Sequence, residues 1–329
     1  MKPGKRQNRQ QPQKTEPVRE MKKPLLAVVG EYQQGKSTLI NCLLDDPYAP
    51  TGKGLTTTKA LSYYRFGEAE EAWISRDNGK SREQLTRREI LYDQNKLEAM
   101  GLAGHNRIEI TCWKPLLARI DLLDTPGFNA YEQDDSLALT GVEEADTLAV
   151  VVADKQLSTS EMRLLDEIVR RRKRYVVIVN CRNFEHWDPE HETTMDICSE
   201  IRAQLMSKGH QPIDISGQPA IWPCNLLWAW HALGHLWRET DMLDDSRVND
   251  ANMKIKLIDA YFKDSFRNEH PPKPRELMSF SKFLTIRKAI ESLTWSDISN
   301  GFEKEGHELI NKAMDCWQNE LKECIKIRS

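Results

Sequence analysis

Short apolar runs alternate with helical periodicity along most of the first 240 residues. Residues 24–29 are continuously apolar and end at Gly30, the pattern of a strand buried on both faces. A helix is expected over 36–44. Strand-like runs follow at 61–66 and 72–75 around a Glu-rich turn, then a polar helix over 82–99. Residues 108–113 and 119–124 read as a paired hairpin. A second buried strand is expected at 147–153, and Ser158 with Glu161 forms a capping box that opens a helix running to about Arg172. A third buried strand at 175–180, a helix near 193–207 and a short strand at 220–223 complete the series. Such alternation predicts an α/β fold: a mostly parallel sheet with helices on both faces.

Beyond residue 240 the pattern becomes helical, over 251–267, 275–292 and 302–326, with a Pro-rich break at 270–274. In the last of these Phe302, Leu309, Ala313, Trp317, Leu321 and Cys324 fall near one face. The expected organisation is therefore a tail over 1–23, an α/β domain over 24–240 and a short C-terminal helical segment over 241–329. No internal repeat is visible.

Composition narrows this picture. Hydrophobic content of 39% and charged content of 29% fit a packed core. No apolar run reaches the roughly 18–20 residues that span a bilayer, and the N-terminus lacks an apolar signal core, so a cytoplasmic protein is expected. Seven scattered cysteines, an odd number, suggest free thiols rather than a disulfide framework. The overall charge is −3, yet residues 1–23 hold eight basic and two acidic residues, a net of +6 that leaves −9 for the rest. This Gln-rich tail is too polar to fold alone. It reads either as a solvated tail or as an electrostatic arm, with anionic membrane contact the partner to consider and nucleic acid not expected.

The chemistry is concentrated in Gly30-Glu31-Tyr32-Gln33-Gln34-Gly35-Lys36-Ser37, a Gly-x-x-x-x-Gly-Lys-Ser loop after a strand and before a helix. Glycines let backbone N–H groups wrap phosphates, and the helix N-terminus adds a favourable dipole. Lys36 supplies a point charge to the β- and γ-phosphates, and the Ser37 hydroxyl can ligate Mg²⁺. Asp124-Thr125-Pro126-Gly127 follows a strand. Its carboxylate can hold Mg²⁺ through water, and the Gly127 N–H can reach a γ-phosphate. Between the two lies Leu55-Thr56-Thr57-Thr58, a loop suited to complete the metal shell only when a γ-phosphate is present.

The run from Val28 to Asn41, Pro50-Thr51-Gly52 leading into the threonines, Asp124 to Gly127, and Ala145 to Val151 resemble the bacterial dynamin-like GTPases. The resemblance covers about residues 24–240. It implies a P-loop GTPase fold and Mg²⁺-dependent GTP hydrolysis. Activation by dimerisation across the nucleotide face, as a homodimer or with another chain, and action at membranes are implied as well. By family spacing Thr57 matches the switch threonine. Gly30, Gln33, Gln34, Gly35, Lys36, Ser37 and Thr38 then form the loop's nucleotide-binding set, with Ser37, Thr57 and Asp124 on the metal. Lys36, Ser37, Thr57 and Gln33 are the catalytic candidates; Gln33 stands where the family often has serine.

Two features depart from the pattern. Phe128 follows Gly127 and cannot orient water, whereas Ras-type GTPases use a nearby glutamine. The family reads guanine with Asn-Lys-x-Asp or a shorter Arg-Asp form, and here that place holds Asn180-Cys181-Arg182-Asn183. A carboxylate would accept from both guanine N–H groups, whereas the Asn183 amide offers one acceptor and suits xanthine better. Asp188 is an alternative source of the carboxylate, and Arg182 can stack on the base. GTP and GDP remain the expected ligands. A poorly hydrolysing nucleotide switch that binds a partner, and more weakly an ATPase, stay open as alternatives. The roughly 80–90 residues after the domain are too few for a long helical stalk.

Cys181, His186, His191 and Cys198 fit no common zinc spacing. The tryptophan-rich segment Trp222, Trp228, Trp230 and Trp237 reads either as core packing or as an exposed aromatic surface.

Overall fold

The structure, a computed structural model, describes residues 23–51, 60–76, 81–92, 107–129, 132–182, 192–215, 218–233, 256 and 273–299. The chain begins with β1 (Leu25–Val29) and α1 (Lys36–Leu44), then β2 (Leu61–Phe66), β3 (Glu71–Arg76), β4 (Ser81–Leu85) and α2 (Arg87–Tyr92). Next come β5 (Arg107–Cys112), β6 (Asp121–Asp124), α3 (Glu132–Glu144), β7 (Thr147–Ala153), α4 (Thr159–Arg170), β8 (Arg174–Asn180) and α5 (Glu192–Ser207). The small hairpin β9 (Asp214–Ile215) and β10 (Gln218–Pro219) precedes β11 (Ile221–Cys224), α6 (Leu226–Ala232), α7 (Pro274–Phe280) and α8 (Phe283–Ser299).

Nine strands form one sheet in the order β11-β8-β7-β1-β6-β2-β5-β3-β4. The five strands from β11 to β6 run parallel, as does β5 beside β2. The pairs β2–β6, β3–β5 and β3–β4 are antiparallel. The predicted mostly parallel α/β fold is thus present, with an antiparallel extension on one side. Every residue of β7 is buried, as are all but the first of β1 and β8, so both faces of the central sheet are covered. Each aliphatic side chain buried there contributes about 1.5–3 kcal/mol. Helix α1 packs against β1, β6 and α6, α3 against β1 and β2, and α5 against β11.

Three expectations fail. The helix expected over 275–292 is two, α7 and α8, broken at Ser281 and Lys282, the latter at a left-handed φ of 58°. Residues 108–113 and 119–124 do not pair as a hairpin: β5 lies between β2 and β3, and β6 lies between β1 and β2. A 3₁₀ turn, Pro115–Ala118, carries the chain from one position to the other. The polar helix over 82–99 is instead β4 and the short α2 over its described part. β4 is an edge strand whose first four side chains are exposed, so no apolar alternation marked it.

The helix of 36–44, the capping box at Ser158 and Glu161, and the strands at 147–153 and 175–180 stand where expected. Trp228 and Trp230 are buried in the core and Trp222 is half-buried, which favours the packing reading of that segment. Trp237, residues 1–22, the boundary near 240 and the helices expected at 251–267 and 302–326 lie outside the described residues, apart from Lys256. Among the described C-terminal residues, α7 packs on α6, and the Asn225 N–H at the start of α6 donates to the Ser281 carbonyl at 3.1 Å. Arg287 on α8 reaches Asp45 at the end of α1 with two bonds of 2.9 and 2.8 Å.

Candidate functional site

The parallel strands β1, β6, β7 and β8 all end at one edge of the sheet, where their connecting loops converge. The loop after β1 wraps into the N-terminus of α1. Gly35 takes a left-handed φ of 98°, and a Cβ there would stand 2.6 Å from Asn180 Nδ2. Only glycine allows both the backbone and the approach. Gln33 also sits in the left-handed region, at φ 60°, and is exposed, while Gln34 is buried.

Lys36 and Ser37 open α1 and are both buried. Lys36 Nζ donates to the Glu31 carbonyl at 2.9 Å. Burial pushes the Lys36 ammonium down to about 8, while Asp124, Asp134 and Glu31 pull it back up. Ser37 Oγ donates to Asp124 Oδ2 at 2.8 Å, which places the hydroxyl of one motif on the carboxylate of the other. Asp124 is fully buried at the end of β6, and Thr125 is tied down by its Oγ1 donating to the Val28 carbonyl at 2.9 Å. Thr38, the next residue in the first turn of α1, is half-buried.

The two loops are joined by main chain. Phe128 N–H donates to the Gly30 carbonyl at 3.0 Å, and Tyr32 N–H to the Phe128 carbonyl at 3.2 Å. This brings Gly127 so near that an added Cβ would be 2.7 Å from Tyr32 Cα. Phe128 is buried, with the Arg163 guanidinium 5.8 Å from its ring centroid, so its side chain serves packing.

The end of β8 closes the loop from the other side. Asn180 Nδ2 donates to the Gln34 carbonyl at 2.8 Å, and Asn180 Oδ1 accepts from the Leu226 N–H at 3.3 Å. Arg182 donates to the Gln33 carbonyl at 2.8 Å and to Gln34 Oε1 at 3.1 Å. The structure therefore brings together Gly30, Gln33, Gln34, Gly35, Lys36, Ser37, Asp124, Gly127, Asn180 and Arg182. Thr57, Asn183 and Asp188 lie outside the described residues.

Glu31, Asp134, Ser158, Ser160 and Leu226 join this neighbourhood without having been expected as site residues. Glu31 accepts from Ser158 Oγ at 2.7 Å and from Ser160 Oγ. The Ser158–Glu161 capping pattern located the start of α4, but nothing in it indicates a contact 127 residues away.

As a set of groups, a buried ammonium, a hydroxyl on a buried carboxylate and a glycine-bearing loop suit a polyanion with a hard cation. Ser37 Oγ and Asp124 offer only oxygen, the donor that Mg²⁺ takes, so the residues fit that ion.

The chain is similar to several known proteins. The "Probable transmembrane GTPase FZO-like, chloroplastic" of Arabidopsis thaliana is 26% identical over 187 residues, covering 56% of this chain and 18% of that protein. The bacterial dynamin-like protein of Nostoc punctiforme is 27% identical over 186 residues, 52% of this chain and 26% of that protein. This chain thus spans about a quarter or less of the length of these relatives. A solved oligomerised bacterial dynamin pair, described as a mechanism for long-range sensing and tethering of membranes, matches 91% of this chain and 45% of its own. The TM-score is 0.48 and the identity 16%. Residues 26–182, which hold the Gly-x-x-x-x-Gly-Lys-Ser loop, Asp124 to Gly127 and Asn180, match the model of the Dynamin family.

Proposed function

We propose that this protein binds GTP with Mg²⁺ and hydrolyses it to GDP and phosphate. The observation that carries this reading is the Ser37–Asp124 hydrogen bond beside the buried Lys36 ammonium, in a chain that matches the Dynamin family model. Lys36 exchanges its bond to the Glu31 carbonyl for phosphate oxygens. Ser37, Asp124 and Thr57 would hold Mg²⁺, Asp124 through water. Bound there, the ion neutralises charge on the β- and γ-phosphates. The backbone N–H groups around Gly35 cradle the phosphates. Gly127 meets the γ-phosphate, and Gln33 at the exposed tip of the loop faces the attacking water or a partner. Asn180 and Arg182 border the base, with Asn183 completing that wall.

Turnover is raised by pairing across the nucleotide face, with a second copy or another chain. Membrane contact through the basic tail accords with one relative being named a transmembrane GTPase. The experiment is nucleotide affinity with Mg²⁺ for GTP, GDP, ATP and XTP, followed by turnover at rising protein concentration, with Lys36→Ala as control. GTP preference with concentration-dependent turnover supports the reading. Loss of base discrimination overturns the GTP assignment.

A second reading is a nucleotide-dependent switch with little turnover. The burial of Phe128 where a water-orienting side chain would stand favours it. Tight binding without turnover at any protein concentration would select it.

A further inference from the structure

Ser160, in the first turn of α4, stands between two loops of the phosphate site. Its Oγ donates to Glu31 Oε1 in the P-loop and accepts from Asn129 Nδ2 at 3.3 Å, two residues after Gly127. A hydroxyl has one hydrogen and two lone pairs, so both contacts are made at once. Ser158 Oγ gives its own hydrogen to the same Glu31 oxygen at 2.7 Å and accepts from the Glu161 N–H at 3.1 Å. The Ser158–Glu161 capping box, with Glu161 buried, makes the start of α4 a fixed anchor. Asn129 is held from its other side as well: its N–H donates to Asp135 Oδ1 at 2.5 Å, and its φ of 64° suits the asparagine that occupies it.

We propose that Ser160 is a positioning residue. Through Glu31 and Asn129 it ties the P-loop to the loop that follows Gly127, and so sets the preference for triphosphate over diphosphate. The proposal rests on the nucleotide reading above. The α- and β-phosphates meet the P-loop backbone and Lys36, which hold their shape through contacts of their own. Only a γ-phosphate needs the Gly127 loop placed correctly against that frame. Ser160 is a side-chain bridge between the two, added to the main-chain pairing of Phe128 with Gly30 and Tyr32. Its removal therefore falls on the triphosphate complex.

The test is calorimetric titration of the full chain with Mg²⁺ and either GDP or a non-hydrolysable GTP analogue. For Ser160→Ala, the loss of about one hydrogen bond raises the Kd for the analogue roughly threefold to tenfold and leaves the GDP value within about twofold. Ser160→Thr, which keeps the hydroxyl, recovers most of the loss. Asn129→Gly keeps the left-handed backbone, removes the amide and reproduces the effect; it carries the test if Ser160→Ala does not fold. The double variant is no worse than either single one. Equal weakening of both nucleotides, or an unchanged analogue Kd in both variants, would overturn the proposal while leaving the nucleotide reading intact. A wild-type chain that binds neither nucleotide would overturn that reading and this inference with it.

Discussion

Ser37 Oγ donates to Asp124 Oδ2 at 2.8 Å across a separation of 87 residues, joining the first turn of α1 to the end of β6. The pairing exists because β1 and β6 are parallel neighbours, with Val28 beside Asp124, so their C-terminal ends meet. Two oxygen groups are thereby set side by side.

Ser37→Ala removes one of them. Nucleotide binding is expected to weaken about tenfold or more in millimolar Mg²⁺ and to lose most of its dependence on the ion. The protein without nucleotide should lose about 1–3 kcal/mol, because a buried carboxylate oxygen loses a donor. Titrations across Mg²⁺ concentrations, together with urea denaturation, measure both.

Lys36 gives a pH dependence with a definite sign. Burial lowers its ammonium from the ordinary 10.5 to about 8, so between those values the unfolded chain binds more protons than the folded one. Stability from this group therefore rises with pH through that window, and the cost of the buried charge, on the order of 3 kcal/mol, is fully present below about pH 8. Lys36→Met should be more stable than wild type at pH 7 by about 1–3 kcal/mol, with the gap closing toward pH 10. Triphosphate binding, which the proposed function assigns to the ammonium, should weaken above about pH 8. Urea denaturation of both proteins at pH 7 and 9.5 decides it, and a gap that widens with pH would contradict the assignment.

Gly127→Ala places a methyl group 2.7 Å from Tyr32 Cα and 3.0 Å from Tyr32 N, both main-chain atoms that cannot rotate aside. The P-loop must shift. A stability loss of about 1–3 kcal/mol is expected, in the range of overpacked sites, with triphosphate binding reduced more than diphosphate binding. Equal binding of both nucleotides by this variant would show that Gly127 does not face the γ-phosphate.

The C-terminal helices should respond to the Arg287–Asp45 pair. Arg287 makes two bonds to Asp45, and its side chain is 24% exposed against 42% for its partner. That exposure limits the coupling to about 0.5–1.5 kcal/mol, falling with salt. A double-mutant cycle with Arg287→Ala and Asp45→Asn measures it; asparagine suits the left-handed φ of 53° at that position. A coupling of zero at low salt would detach α8 from α1.

What could be read from the chain was what depends on near neighbours. A strand, a Gly-Lys-Ser loop and a helix follow one another without interruption, and Ser158 and Glu161 are three residues apart. What could not be read depends on distant pairing. β5 and β6 look like a hairpin because two apolar runs flank Lys114-Pro115, yet each finds other partners in the sheet. β4 carries residues that favour helix as readily as strand, and tertiary pairing with β3 decides. Glu31 offers no local signal of its bond to Ser160, 129 positions away.

The same polar β4 has a consequence for how copies of this protein behave in a crowded solution. A nine-stranded sheet that ended in an apolar strand would invite another chain to continue it. From Ser81 to Gln84 every side chain is exposed, and Arg82 is already engaged with Glu109 and the Trp73 ring. A strand laid alongside would meet charge rather than apolar cover. The extension therefore acts as a guard against edge-to-edge aggregation, leaving assembly to other surfaces.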